Sequence, residues 1–330
     1  MTQPRVAVLF TGGTISMLPD PVTGAARPAL DGAAILARTP GAATIAELVP
    51  VDWGLVPASH LSFPQLLDLA GRIRALQADP TIAGVVVVQG TDVIEETAFA
   101  WDLLAADGPP VVVTGAMRTA AVPGWDGPEN LRAAIRAAAS PALRDHGVLV
   151  LLDGLLLPAD DATKTHTEAR DTFRARNTGP LATVRGDRVR IVARRGPRRR
   201  IPEPPAAAAE PIALVTVTVA TDGAPVRWAR AGGARGIVVA ATGAGNTHPD
   251  VLAAAEEAMA SGLPVVLSSR AGAGRVAPAY GFPGGGARWI AAGALPAGSL
   301  TGPKARIALA LGLGAGMEPE ALRALLAGPA

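Results

Sequence analysis

Two turns in the first hundred residues set glycine beside threonine, Thr11-Gly12-Gly13-Thr14 and Gln89-Gly90-Thr91-Asp92. A threonine hydroxyl is a weak nucleophile and needs an adjacent base. A lysine amine desolvated in a cleft can be that base, and a neighbouring carboxylate can orient and tune it. Of the 30 basic residues 28 are Arg; only Lys164 and Lys304 are Lys. Where Arg serves nearly every cationic role, a retained lysine points to a compact amine that can give up its proton, which Arg cannot supply. Lys164 lies in Asp160-Asp161-Ala162-Thr163-Lys164-Thr165. The glycines let the backbone turn sharply and expose N–H groups suited to an oxyanion or carboxylate. Thr14, Thr91, Asp92 and Lys164 thus make a set able to attack an amide or ester carbonyl with no metal and no cofactor. Each also has a plain reading: the Gly-Thr turns as structural, Asp92 as the cap of a helix starting near Glu95, Lys164 as a surface side chain.

Composition excludes much else. Cysteine is absent, which removes disulfides, thiolate metal sites and thiol catalysis. His60, His146, His166 and His248 are scattered, without HExxH or paired spacing, so a zinc enzyme is not expected. No GxxxxGK[ST] motif occurs, and Gly243-Ala244-Gly245-Asn246-Thr247-His248 lacks the third glycine of a dinucleotide fingerprint. The formal charge is only +2. Five Arg within residues 194–200 read as a solvated segment rather than a nucleic-acid contact. The N-terminus lacks the apolar stretch of a secretory signal, and no apolar run approaches the roughly 18–20 residues of a membrane span. A cytoplasmic protein is expected, binding neither nucleic acid nor membrane.

The elements that must position those side chains are legible as apolar runs. Arg5–Phe10, Ile82–Gln89, Pro110–Thr114 and Gly147–Leu152 do not alternate apolar with polar, as strands buried on both faces do not. Helical patterns over Ser62–Gln77, Glu95–Ala106 and Pro128–Ser140 separate them. This predicts a doubly wound, mainly parallel α/β sheet. Residues 196–211, rich in proline and arginine, are predicted to be an extended linker. After it strands are expected at Ile212–Val219, Gly236–Ala240 and Pro264–Ser268, with helices at Pro249–Ser261, Pro303–Leu311 and Pro319–Leu326. The length of 330 residues agrees with two α/β domains, a catalytic one over 1–195 and a smaller flavodoxin-like parallel one over 212–330. Ligands of open parallel sheets bind beyond the carboxyl ends of the strands, where the threonine turns and Lys164 fall.

TGGTIS at 11–16, QGTDVIEETA at 89–98, VVVTGAMR at 111–118, DGPENL at 126–131 and DATKT at 161–165 together resemble the bacterial-type L-asparaginase family. GAGN at 243–246, SSR at 268–270 and Gly298, Leu300, Lys304, Ala305 and Arg306 extend the likeness over nearly the whole chain. The resemblance implies cofactor-free hydrolysis of L-asparagine to L-aspartate and ammonia by a homodimer or homotetramer with active sites near the subunit interface. By the same likeness Thr14 is the nucleophile that forms an acyl-enzyme ester, and Thr91, Asp92 and Lys164 form a second triad. Backbone N–H groups near Thr14 and Thr91 hold the oxyanion. Ser59 takes the substrate α-carboxylate, Asp92 its α-amino group, the Ala116 carbonyl the leaving amide, and Asn246 reaches in from the neighbouring subunit. Met17–Leu30 is the lid.

The chain departs from the family pattern in three places. No tyrosine lies in Met17–Leu30, where the family carries one; the usual Ser-Gln pair is Ser59-His60; and no acid stands near Ala279–Gly281, where an inter-subunit Glu is usual. The sole tyrosine, Tyr280, lies on that segment and is a candidate replacement for the phenol or acid. His60 is expected either to bind on the amine side of the substrate or to cap the helix after it. A relaxed amidase acting on glutamine, the amidase subunit of a tRNA-dependent amidotransferase and a non-catalytic amino-acid sensor are the alternatives. The amidotransferase subunit is disfavoured because TGGT begins at residue 11, with no room for its extra N-terminal domain.

Overall fold

The computed structural model describes residues 3–329. They form two compact units that divide between Gly196 and Pro197.

The first unit is built on an eight-stranded sheet. From one edge its strands run Arg188–Ile191, Ala182–Arg185, Leu155–Pro158, Val148–Leu152, Val111–Thr114, Ile82–Val88, Arg5–Phe10 and Glu47–Asp52. The last five are mutually parallel. Val6–Phe10, Val85–Val88 and Val148–Leu152 are buried along their length, the environment that unbroken apolar runs anticipate. The first connection passes from Arg5–Phe10 to Glu47–Asp52 on one side. The next returns past it to Ile82–Val88 on the other. The direction of winding therefore reverses at Arg5–Phe10 and Ile82–Val88, and a crevice opens at their carboxyl ends. Thr11–Thr14 follows one strand and Gln89–Asp92 the other.

Three sheet strands beyond Val148–Leu152 pair antiparallel; Leu155–Pro158 is an apolar run, whereas Ala182–Arg185 and Arg188–Ile191 mix apolar with polar residues. They are short, and a tight turn at Asp153-Gly154, where both residues have positive φ, leads into the first of them. Glu47–Asp52 is a further strand absent from the expected set; it lies at the sheet edge and is only partly buried. Helix Phe63–Ala78 starts at a capping box, in which the Ser62 N–H donates to Gln65 Oε1 at 3.0 Å. Helix Ile94–Leu104 is buried from Thr97 onward, and Gly127–Ala138 presents Leu131, Ala134, Ile135 and Ala138 to the core.

The second unit holds a parallel sheet whose four strands, Ile212–Thr216, Gly236–Ala241, Val265–Ser269 and Leu295–Thr301, lie side by side in chain order. It is a helix-covered parallel sheet as expected, though without the return past the first strand that flavodoxin-type order has. Helices Ala224–Ala231, Pro249–Ala260, Gly286–Ala291, Gly302–Gly314 and Pro319–Ala327 complete it. None of the helices among the described residues is long and apolar enough to cross a membrane.

Residues 197–211 correct the expectation of a solvated linker. They pack on the second unit, with Arg199, Ile201 and Ala209 buried. The Arg199 guanidinium donates from Nε to the Leu325 carbonyl at 3.1 Å and from Nη2 to that of Ala327 at 3.3 Å. Those carbonyls end the Pro319–Ala327 helix and have no partner within it, so an arginine fork satisfies them. The proline content that suggests a spacer is equally compatible with an extended strap.

Arg195 closes the first unit. It is buried against Asp102 (2.5 Å) and Asp160 (2.9 Å), while Asp102 Oδ1 also accepts the Val148 N–H at 2.9 Å. Burial alone opposes the guanidinium's charge, but the two carboxylates more than compensate and hold its pKa above the usual arginine value. Removing one partner of a buried pair leaves an uncompensated charge, so Asp102→Ala is expected to destabilise this unit by about 3–5 kcal/mol in urea unfolding.

Candidate active site

The two threonine turns are brought together by backbone alone. Gly12 and Gly13 have φ of 104° and 93°, a region that disfavours side chains. A Cβ placed on Gly13 would lie 2.1 Å from the Gly90 nitrogen and 2.3 Å from its Cα, so the turns touch main chain to main chain. Thr11 anchors the first turn, donating from its N–H (3.0 Å) and its hydroxyl (3.1 Å) to the Val88 carbonyl on the adjacent strand. Thr14 then opens a single turn of 3-10 helix, Thr14–Ser16, half-buried, with the Ser16 hydroxyl donating to the Gly13 carbonyl at 2.7 Å.

Two further turns crowd the same place. The Ala58–His60 turn lies against Gly90, whose absent Cβ would fall 3.0 Å from that of Ala58; Ser59 and His60 are exposed on it. The turn after Val111–Thr114 lies against Gln89 and Thr91: a Cβ on Gly115 would meet the Gln89 carbonyl at 2.3 Å and Thr91 Cγ2 at 3.2 Å. Ala116, next along it, is fully buried. The Ser62–Gln65 capping box starts the helix after His60, so the capping reading of His60 does not hold.

Lys164 arrives on the short hairpin of Ala162–Lys164 with Phe173–Ala175. Its Nζ donates to Thr91 Oγ1 at 3.0 Å and to Asp92 Oδ1 at 2.8 Å. The lysine side chain is only 16% exposed and Thr91 is buried, whereas the Asp92 side chain is 70% exposed. An ion pair so open on one side adds little stability, so its consequence is to orient the amine. Asp92 does not cap the helix behind it: Ile94–Leu104 begins after Val93 with no side-chain cap. Glu95, from that helix, accepts the Lys164 backbone N–H at 3.3 Å, and Asp161 takes N–H groups of Asn177 (2.9 Å) and Thr178 (2.7 Å), tying down the loop that delivers the lysine.

Met17–Pro19 and Ala26–Pro28 pair as an antiparallel ribbon over the segment read as a lid. Asp20 turns its tip, accepting N–H groups of Val22 and Thr23 at 2.9 Å each. Chiefly those bonds, Thr23's first, hold its carboxyl below the usual carboxylate range, although burial opposes this slightly and Arg27 adds to it.

Asn246 and Tyr280 belong to the second unit. Asn246 is half-buried; its Oδ1 accepts the Gly286 N–H at 3.3 Å and its carbonyl takes the Thr242 N–H at 3.0 Å. Tyr280 is 48% exposed, its ring 5.7 Å from that of Phe282. Lys304, the other lysine, is buried in the Gly302–Gly314 helix.

Sequence reasoning missed Glu95, Asp126 and Asn130 as parts of this region. All three stand within distinctive segments, QGTDVIEETA and DGPENL, but spacing along the chain does not show which backbone groups their side chains meet.

With this geometry in view, the likeness to known proteins is specific. Residues 5–196 match the model for the N-terminal domain of asparaginase, and residues 211–326 that for the glutaminase/asparaginase C-terminal domain. A probable L-asparaginase of Deinococcus radiodurans is 36% identical over 336 aligned positions, spanning 97% of this chain and 96% of that protein. L-asparaginase 2 of Bacillus subtilis is 30% identical across 97% of this chain and 85% of its own length. The crystal structure of a probable cytoplasmic L-asparaginase from Campylobacter jejuni superposes with a TM-score of 0.86 at 27% identity, covering 98% of this chain and 99% of that one. The chain belongs to the asparaginase family.

The contact between the turns gives a test. Gly13→Ala forces a Cβ into Gly90 at a backbone angle that resists it, and is expected to abolish turnover. Gly24→Ala, also at positive φ but with nothing within 4 Å, should cost about 1 kcal/mol and leave activity near wild type. Steady-state rates on folded protein, checked by circular dichroism, compare the two.

Proposed function

We propose that this protein is an L-asparaginase, an amidohydrolase that converts L-asparagine to L-aspartate and ammonia. The observation that carries the reading furthest is the Lys164 amine, shielded from solvent and within hydrogen-bond distance of both the Thr91 hydroxyl and Asp92. In this reading Thr14 Oγ1 attacks the side-chain amide carbon. The C–O bond forms, the C–N bond breaks, and the threonine proton leaves with the nitrogen as ammonia. Water then attacks the resulting β-aspartyl ester, releasing aspartate and restoring the hydroxyl. Lys164 acts through Thr91 to take and return the proton, and Asp92 holds the amine and meets the substrate's α-amino group. Ser59 receives the α-carboxylate, His60 sits beside it on the same turn, and Ala116 offers its carbonyl to the leaving amide. N–H groups of the abutting Thr14 and Thr91 turns stabilise the oxyanion, an effect of about 3–4 kcal/mol in comparable sites.

Asn246 and Tyr280 are assigned to a site shared between copies in a homodimer or homotetramer, with Tyr280 supplying the phenol that Met17–Leu30 lacks. The protein acts in asparagine catabolism in the cytoplasm, with no cofactor. The absence of an acid over Ala279–Gly281 favours a second reading, relaxed selectivity that admits glutamine, because an amine-recognising partner is missing there.

Purified protein should release ammonia from L-asparagine, and Thr14→Ala and Lys164→Met should each lower kcat by about 10⁴-fold or more. Binding without ammonia release would instead identify an amino-acid sensor. Tyr280→Phe is expected to lower kcat; full turnover would remove the phenol from the mechanism. The ratio of kcat/KM for asparagine to that for glutamine decides the second reading.

A further inference from the structure

The turn carrying Ala116 is held by a buried network that no step of the proposed reaction uses. Asp126 and Asn130, one helical turn apart at the start of Gly127–Ala138, are both about 2% exposed. Asp126 Oδ2 accepts the Met117 N–H at 3.1 Å, and Oδ1 that of Arg118 at 2.9 Å. Asn130 Nδ2 donates to the Gly115 carbonyl at 3.0 Å and to Asp126 Oδ2 at 3.1 Å, while its Oδ1 accepts the Asp153 N–H at 3.1 Å. Two side chains thus engage the peptide on either side of Ala116.

Peptide geometry turns that into an aiming device. In a planar trans peptide the carbonyl and N–H point in opposite directions. Asp126 captures the Met117 N–H, so the Ala116 carbonyl of the same peptide must point away from Asp126. Asn130 captures the Gly115 carbonyl, so the Ala116 N–H must point away from Asn130. Both free polar groups of Ala116 are therefore turned from the helix, on a turn whose Gly115 lies against Gln89 and Thr91. We propose that Asp126 and Asn130 are positioning residues for the leaving group: by gripping the peptides flanking Ala116 they aim its carbonyl at the N–H of the departing amide. The inference rests on the asparaginase reading and extends it to two residues with no access to substrate.

The network also joins the turn to the sheet. Through Asp153, at the bend between Val148–Leu152 and Leu155–Pro158, Asn130 ties the antiparallel edge of the sheet to the turn. The aim of the Ala116 carbonyl is thus set by two helix side chains and one distant bend.

The test compares L-asparagine with the β-methyl ester of L-aspartate, whose leaving group has no N–H to offer the Ala116 carbonyl. Asp126→Asn, which keeps the volume, and Asn130→Ala are each assayed on both substrates after their folding is confirmed by thermal melting. In each variant kcat on the amide should fall about tenfold or more, the effect of one misdirected hydrogen bond, while kcat on the ester stays within about twofold of wild type. Equal losses on both substrates would mark a purely structural role and overturn the proposal, as would no loss on either. A wild-type protein that hydrolyses neither substrate would instead overturn the asparaginase reading, and this inference with it.

Discussion

Everything at the candidate site depends on two glycines meeting where the sheet reverses its winding. Because Gly13 has no Cβ, its backbone approaches Gly90 closely enough to place the Thr14 and Thr91 turns side by side. Neighbouring strands run nearly 5 Å apart, so two turns at their ends are close in any parallel sheet. Main-chain contact between them needs residues without side chains. The contact is made by backbone just beyond two buried strands, so its geometry does not rely on side chains that could rotate away.

Around that contact the structure separates reactive groups from the groups that hold them. Thr91 and Lys164 are shielded, while Asp92 stays open to solvent. The lysine is fixed at both ends: its amine by Thr91 and Asp92, its backbone by Glu95. Asp161 and Arg195 restrain the same loop from farther off. A proton moved over one hydrogen bond requires donor and acceptor to keep their separation, and this layered support supplies it.

Of the three departures from the family pattern, His60 is exposed on the turn that packs against Gly90, and the other two fall outside the threonine turns. The lid ribbon lacks a tyrosine, and the second unit carries Tyr280 and no acid on the corresponding segment. A scaffold that builds its central groups on buried strand ends can vary its periphery, where exposed loops tolerate substitution and set which substrates enter.

Much was decided by the amino-acid order alone. Unbroken valine and leucine runs dictated buried parallel strands, because only such strands meet apolar surroundings on both faces. The Gly-Thr turns, Asp92 and the rare Lys164 marked the chemistry, because residue type limits what a side chain can do. Helix patterns over Ser62–Gln77 and Pro128–Ser140 were legible because a buried face repeats every three or four residues. Tertiary structure decided the rest. The antiparallel edge and Glu47–Asp52 were not legible as strands, because the partner and direction a short strand takes are set by the elements beside it. The strap at 197–211 read as a linker, since nothing in its proline and arginine content reveals that Arg199 meets the carbonyls of a helix more than a hundred residues away. Asp126 and Asn130 stood in a distinctive motif, yet their partners lie on other elements, and a hydrogen bond between distant segments exists only once the chain has folded.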